Sequence, residues 1–149
     1  INYIMKIEDI EGLWDNDSKI DPYDLDSESL KIPELHNKYW KLLNVEILSL
    51  KYLESQVTIQ RKKLWAYYNG ISIDENSNEV FNAKLKHKDD INAFIDGDEK
   101  YQEVKSKILL QEQKVKYIEA IIKELSQRTW NIRNAIEWHK FKGGEPTKG

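Results

Sequence analysis

From Leu35 to Tyr68 the apolar residues recur at alternating steps of three and four. Trp40, Leu43, Ile47, Leu50, Val57, Leu64 and Tyr68 share one face, which only Glu54 and Arg61 interrupt. Ile32-Pro33-Glu34 leads into the run with a proline suited to a first helical position and an acid that complements the helix dipole. Asn69-Gly70 supplies a left-handed stop. The pattern predicts an amphipathic helix over 33–69, about 50 Å long.

A second run is more regular. Stepping three and four from Tyr101 reaches Val104, Ile108, Gln111, Val115, Ile118, Ile122, Leu125, Thr129, Ile132 and Ile136, so only Gln111 and Thr129 are polar. A 3.5-residue repeat of this length predicts a coiled-coil-like helix over 98–142, ended by Gly143-Gly144 and Pro146. Tyr117, Ile121, Trp130, Ala135, Trp138 and Phe141 widen its apolar stripe beyond one seam. One face can pair with the first helix as an antiparallel hairpin. The surplus calls for another chain, so the pattern predicts a homo-oligomer.

The remaining segments are shorter. Residues 1–30 predict a helix over about 6–14 followed by an irregular stretch lying against something larger. Residues 70–97 read as an irregular linker, in which ISI and EVFNAKL are short strands or loop. KDDINAFI is a turn or two of helix, with Ile91, Phe94 and Ile95 turned inward. Asp96-Gly97-Asp98-Glu99 resembles a capping arrangement, with an acceptor three positions before a Glu. The fold expected is all-α: two long amphipathic helices in an antiparallel hairpin with short flanking helices, one domain over 1–149.

Composition narrows the possible chemistry. The chain has no cysteine, which excludes disulfides, thiolate catalysis and Cys-based zinc sites and suits a reducing compartment. No apolar run approaches the ~20 residues of a membrane span. Met5 is the sole methionine and the start has no secretory pattern, so translation is expected to begin at Met5, with Ile1–Ile4 as leftover sequence. The net charge of −3 hides segregation: residues 1–30 carry two Lys against nine acids, and residues 31–70 seven Lys/Arg against three. Residues 71–100 are acidic again, with four Lys against eight acids, and residues 101–149 basic, with ten Lys/Arg against six acids. Such a chain can still present basic stripes to a polyanion.

Catalytic constellations are missing: no phosphate loop, HExxH, GxSxG or dinucleotide fingerprint occurs. His36, His87 and His139 are scattered without an i, i+4 partner. Asp89-Asp90 suits a helix start better than acid–base work. DNDSKID spaces Asp15, Asp17 and Asp21 like a calcium loop, but Ile20 replaces the turn glycine, Lys19 occupies a ligand position and Asp26 stands for the bidentate Glu. No metal or cofactor is expected.

What remains is RKKLWAYYNG, residues 61–70. Cations that track phosphates and rings on which bases stack are the two components of a single-strand binder. Arg61, Lys62 and Lys63 span most of the helix circumference, so at least one faces solvent. Trp65 and Tyr68 are three apart and share a face, whereas Tyr67 points elsewhere. On pattern alone two readings stay open: a single-strand binder, and a coiled-coil adaptor without a DNA role.

Several stretches together resemble the UvsY family of phage recombination mediators, in the version carried by marine cyanophages. They are MKIEDIEGLWDNDSKID, ESLKIPELHNKYWKLL, WAYYNG and QRTWNIRNAIEWHKFKGG, and the resemblance runs from about Met5 to Gly144. It implies a non-enzymatic protein that binds single-stranded DNA in the host cytoplasm and contacts a RecA-class recombinase of the UvsX type and the phage single-strand-binding protein. It further implies a ring-like homo-oligomer that loads the recombinase onto covered DNA. In the family a basic stretch before YY-x-G is associated with DNA. Lys62 falls on that stretch, with Arg61 and Lys63 beside it, and Tyr67, Tyr68 and Gly70 fall on the YY-x-G. Leu64 stands at another position where a better-known member of the family is basic. The C-terminal region is associated with assembly, which here gives Ile118, Ile122, Leu125, Trp130, Ile132, Ile136, Trp138 and Phe141, although Trp130, Ile132, Ile136, Trp138 and Phe141 fit an intrachain core as well as an assembly surface. Tyr67 and Tyr68 read equally as helix-end packing, and Arg128 and Arg133 as DNA contacts or inter-subunit ion pairs. The acidic N-terminal segment reads as a partner contact or a solvated tail.

Overall fold

The computed structural model describes residues 5–70 and 88–144. These hold four α-helices and, among the described residues, no strand: α1 (Ile7–Asp17), α2 (Leu25–Tyr68), α3 (Lys88–Asp96) and α4 (Glu99–Lys142). ISI, EVFNAKL, His87 and Ile1–Ile4 lie outside the described residues. The chain forms two compact units: residues 1–46 with 113–149, and residues 47–112.

In the first unit, α1 is fixed at its start by the Asp9 carboxylate, whose Oδ2 accepts the Lys6 backbone N–H at 2.9 Å. It runs past Trp14 to Asp17, longer than its apolar spacing alone suggests. The second helix begins at Leu25, not at Pro33, which lies inside it. Pro33 withholds only one backbone donor. The turns before it have their own support: Asp26 and Glu28 sit at the positive end of the dipole, and Lys31 Nζ reaches Glu28 Oε1 at 2.9 Å.

Ile10, Tyr39 and Leu43 pack with Val115, Ile118, Ile121, Leu125 and Ile132 as the core of this unit. The expected α2 face is turned by one residue at this end. Tyr39 is fully buried, while Trp40 is half exposed and stacks on His36 with ring centroids 6.1 Å apart. The choice rests on the hydroxyl: Tyr39 Oη donates to Asp17 Oδ2 at 2.8 Å, and the Trp14 ring meets the Tyr39 ring edge-on at 5.7 Å. Lys38 Nζ reaches the same oxygen at 2.6 Å, and Arg128 Nη2 donates to the carbonyls of Asp17 and Ser18 at 3.0 and 3.2 Å. Asp17, read from sequence as a failed calcium ligand, is thus the acceptor that ties α1 to α2. Glu46 on α2 meets Lys114 on α4 at 2.8 Å, whereas the earlier Tyr39 and the later Arg128 meet at Asp17, so α2 and α4 are antiparallel in this unit.

The second unit packs residues 47–68 of α2 with α3 and the start of α4. Leu64, Ile91, Ile95 and Tyr101 form its core, with Val57 and Tyr68 against it. Ile91 and Ile95 point inward as their spacing predicts, but Phe94 does not: it is 45 % exposed and leans on Tyr68 at 5.4 Å. The cap of α4 is shifted from the expected Asp96–Glu99 pairing. Asp98 Oδ1 accepts the Tyr101 N–H at 2.9 Å, while the Asp96 carbonyl accepts from the Gln102 side chain.

Candidate nucleic-acid interface

The last two turns of α2 carry the basic and aromatic residues. The helix stops where the sequence places it: Gly70 adopts φ +74°, a left-handed conformation that costs a glycine little. Its N–H bonds the Tyr67 carbonyl at 3.0 Å, and Asn69 closes on the Trp65 carbonyl through its backbone at 3.1 Å and its side chain at 2.6 Å. These bonds close the backbone of the last helical turn, which carries the rings just after the lysines.

The three cations have different surroundings. Arg61 folds back on its own unit: Nη1 donates to Tyr101 Oη at 3.0 Å, Nη2 to Asn92 Oδ1 at 3.3 Å, and Asp96 lies 3.6 Å away. The Tyr101 hydroxyl first, and Asp96 after it, hold the guanidinium in its charged form even more firmly than usual. Lys62 and Lys63 are exposed and make no ion pair among the described residues. Leu64, at the position where a cation would resemble the family better, is 8 % exposed and belongs to the core. A lysine there would have its stem among Ile91, Ile95 and Tyr101, and burying its charge would cost several kcal/mol (about 2–7 for a polar group).

The rings divide similarly. Trp65 is 49 % exposed. Tyr67 and Tyr68 are half-buried, and their rings meet at 5.1 Å and 69°, so Tyr67 does not point away as helical spacing suggests. Burial, then the charge of Asp98 and the neighbouring Tyr67, push the Tyr68 phenol up. Tyr68 therefore buttresses the helix end. Lys62, Lys63 and Trp65, with the half-buried Tyr67, form the accessible part of the candidate site. Sequence reading missed the clamp of Tyr101, Asn92 and Asp96 on Arg61. The available signal was Arg61 itself, a charge on an otherwise apolar face, which requires a polar partner across it.

The residues read as an assembly surface also separate into two groups. Ile118, Leu125 and Ile132 are buried within the chain and Ile122 is half-buried. Trp130, Ile136, Trp138 and Phe141 are exposed. Trp138 and Phe141 stack at 5.6 Å and 21°, and Arg133 and Lys142 lie over the rings of Trp130 and Trp138 at 5.6 and 5.4 Å. Arg128 is taken up inside the first unit, over the Trp14 ring at 5.5 Å, and is no surface cation.

Among the described residues no group of acidic or histidine side chains is placed to hold a metal ion, and no helix is long and apolar enough to cross a membrane. A family model described as "Recombination, repair and ssDNA binding protein UvsY" matches residues 13–145. No curated protein and no solved structure matches the chain.

Proposed function

The chain belongs to the UvsY family of recombination, repair and ssDNA-binding proteins, and from that premise we propose that it is a non-enzymatic recombination mediator of a phage. It works in the cytoplasm of the infected host, as a homo-oligomeric ring of single-domain subunits. It holds single-stranded DNA and helps a RecA-class recombinase of the UvsX type to nucleate on DNA covered by the phage single-strand-binding protein. The observation that carries the DNA part of this reading is the exposed end of α2, where Lys62 and Lys63, with no ion pair among the described residues, precede an exposed Trp65.

Lys62 and Lys63 contact phosphate, and Trp65 and Tyr67 offer ring surface to bases. Arg61 adds positive charge to the site but keeps its donors on Tyr101 and Asn92, and Tyr68 supports Tyr67 from behind. One subunit with so few contacts binds weakly. Repetition around a ring raises the effective concentration of sites and gives tight but releasable binding, as a protein that hands its strand to another requires.

Oligonucleotide binding over a salt series tests this. Lys62→Ala with Lys63→Ala is expected to flatten the plot of log affinity against log salt by about 1.4 for each subunit that the strand contacts, from roughly 0.7 per lost phosphate contact on a single strand. Adding Arg61→Ala should change the slope little and cost about 1 kcal/mol of stability through its lost hydrogen bonds. An unchanged slope in the double variant would move the strand to another surface, and no low-salt binding by the wild type would leave the coiled-coil adaptor.

A further inference from the structure

The first unit contains a cleft and, farther along the same helix, an uncovered aromatic pair. The cleft holds about 390 Å³ between the end of α1 and the middle of α4, with walls from Trp14, Ile20, Tyr117, Ile121 and Arg128 and with Glu124 at its side. Its surroundings are acidic: after burial itself, the charges of Glu11 and Asp15 push the Tyr117 phenol up. Arg128 is 3 % exposed, and its Nη1 has no hydrogen-bond partner among the described residues. The aromatic pair is Trp138 with Phe141, 57 % and 63 % exposed and stacked on each other, in a last turn that carries His139, Lys140 and Lys142.

We propose that Trp138 and Phe141 of one copy dock into the cleft between α1 and α4 of the next copy, as the repeating contact of the homo-oligomer. This deepens the oligomeric reading above and rests on it.

The two surfaces are complementary in three respects. The knob is aromatic and the cleft is walled by aromatic and branched apolar side chains, with room for an indole, a ring that buries on the order of 200 Å². The knob carries Lys140 and Lys142, while Glu11 and Asp15 act on Tyr117 beside a cleft whose own lining balances Glu124 with Arg128, so the charges around the contact are of opposite sign. A docking helix end also brings terminal carbonyls that have no intrahelical donor, the kind of acceptor that the buried Arg128 Nη1 lacks.

The contact cannot form within one chain. Trp138 lies seven residues beyond Asn131, about 10 Å farther along the same continuous helix that forms the cleft floor. Docking is therefore between copies and heterologous, since each copy offers a knob to one neighbour and a cleft to the other. Such a contact closes into a ring when its rotation permits.

Two variants with opposite defects test it. Trp138→Ala with Phe141→Ala removes the knob. Ala120→Trp, at an exposed position lining the cleft, fills it. Each variant alone is expected to sediment as a monomer with wild-type helix content by circular dichroism. Mixed in equal amounts they should form a species of two subunits and no larger, because one intact knob and one intact cleft remain. If Ala120→Trp unfolds, Glu124→Arg serves as the cleft defect, and the same mixture is expected to dimerise. Wild-type mass in either folded variant, or no heterodimer on mixing, would overturn the proposal while leaving the oligomeric reading intact. A monomeric wild type would overturn both. Lower oligonucleotide affinity of the knob variant at unchanged mass would overturn the docking and give the rings to the strand.

Discussion

Lys114→Met is expected to lower the unfolding free energy by about 3–5 kcal/mol, the cost of breaking a buried ion pair by removing one partner. Lys114 Nζ and Glu46 Oε2 are 2.8 Å apart, and the two side chains keep only 9 % and 6 % of their accessible surface. Removing the ammonium leaves a carboxylate inside the helix pair with its main counter-charge gone. The pair itself contributes little against an apolar replacement, because desolvation of both ions offsets their attraction. Glu46→Leu combined with Lys114→Met should therefore return to wild-type stability or exceed it by about 1–4 kcal/mol. Urea unfolding of the two single variants and the double variant, at one subunit concentration, gives the coupling directly. A Lys114→Met variant within about 1 kcal/mol of wild type, the range of a surface pair, would show that water reaches the pair.

The second large effect is expected at Asp17. Asp17→Ala removes the acceptor of the buried Tyr39 hydroxyl and the counter-charge of Lys38, for a cost of about 1.5–3 kcal/mol, as for hydrogen bonds to charged groups. The site is also acid-sensitive. Burial by itself would raise the Asp17 carboxyl, but hydrogen bonds from Lys38 and Tyr39 and the charges of Lys38 and Arg128 together hold it below its ordinary value. The folded state therefore binds this proton less readily than the unfolded chain. Its contribution is complete at neutral pH and disappears as pH falls through the folded value, below about pH 4. Asp17→Asn keeps an acceptor for Tyr39 but cannot titrate. Between pH 6 and pH 3 it should lose less stability than the wild type, as read from urea midpoints. Parallel losses in the two proteins would show that other carboxylates carry the acid response.

Both effects arise at polar residues that helical periodicity does not explain. Periodicity finds a face by its apolar members. It is silent on Glu46 and Lys114, which lie off the expected seams, and on Asp17, whose partners are more than twenty residues away. It also misplaced the boundary of α2 and the choice between Tyr39 and Trp40. A face is specified only to within about one position, since neighbouring residues differ by about 100° around a helix. Between two large aromatics the partner of the hydroxyl then decides.

At the end of α2 the residues of the candidate site were legible as a group, and their different surroundings were not. Arg61, Lys62 and Lys63 are equivalent cations in the sequence. Among the described residues α3 and the first turn of α4 make them different, by bringing Asn92, Asp96 and Tyr101 to Arg61 and nothing comparable to the two lysines. The same holds for the eight assembly candidates of α4, which are one apolar stripe in sequence and become core or exposed surface only when α2 covers part of it.

The sequence by itself determined what depends on neighbours along the chain: two long amphipathic helices, the glycine stop at Gly70, the segregation of charge and the family to which these residues belong. The tertiary structure alone decided which polar groups have partners, because that depends on side chains brought together from distant positions. By that rule Arg61 and Arg128 are held within the fold, Leu64 is core, and Lys62, Lys63 and Trp65 remain exposed.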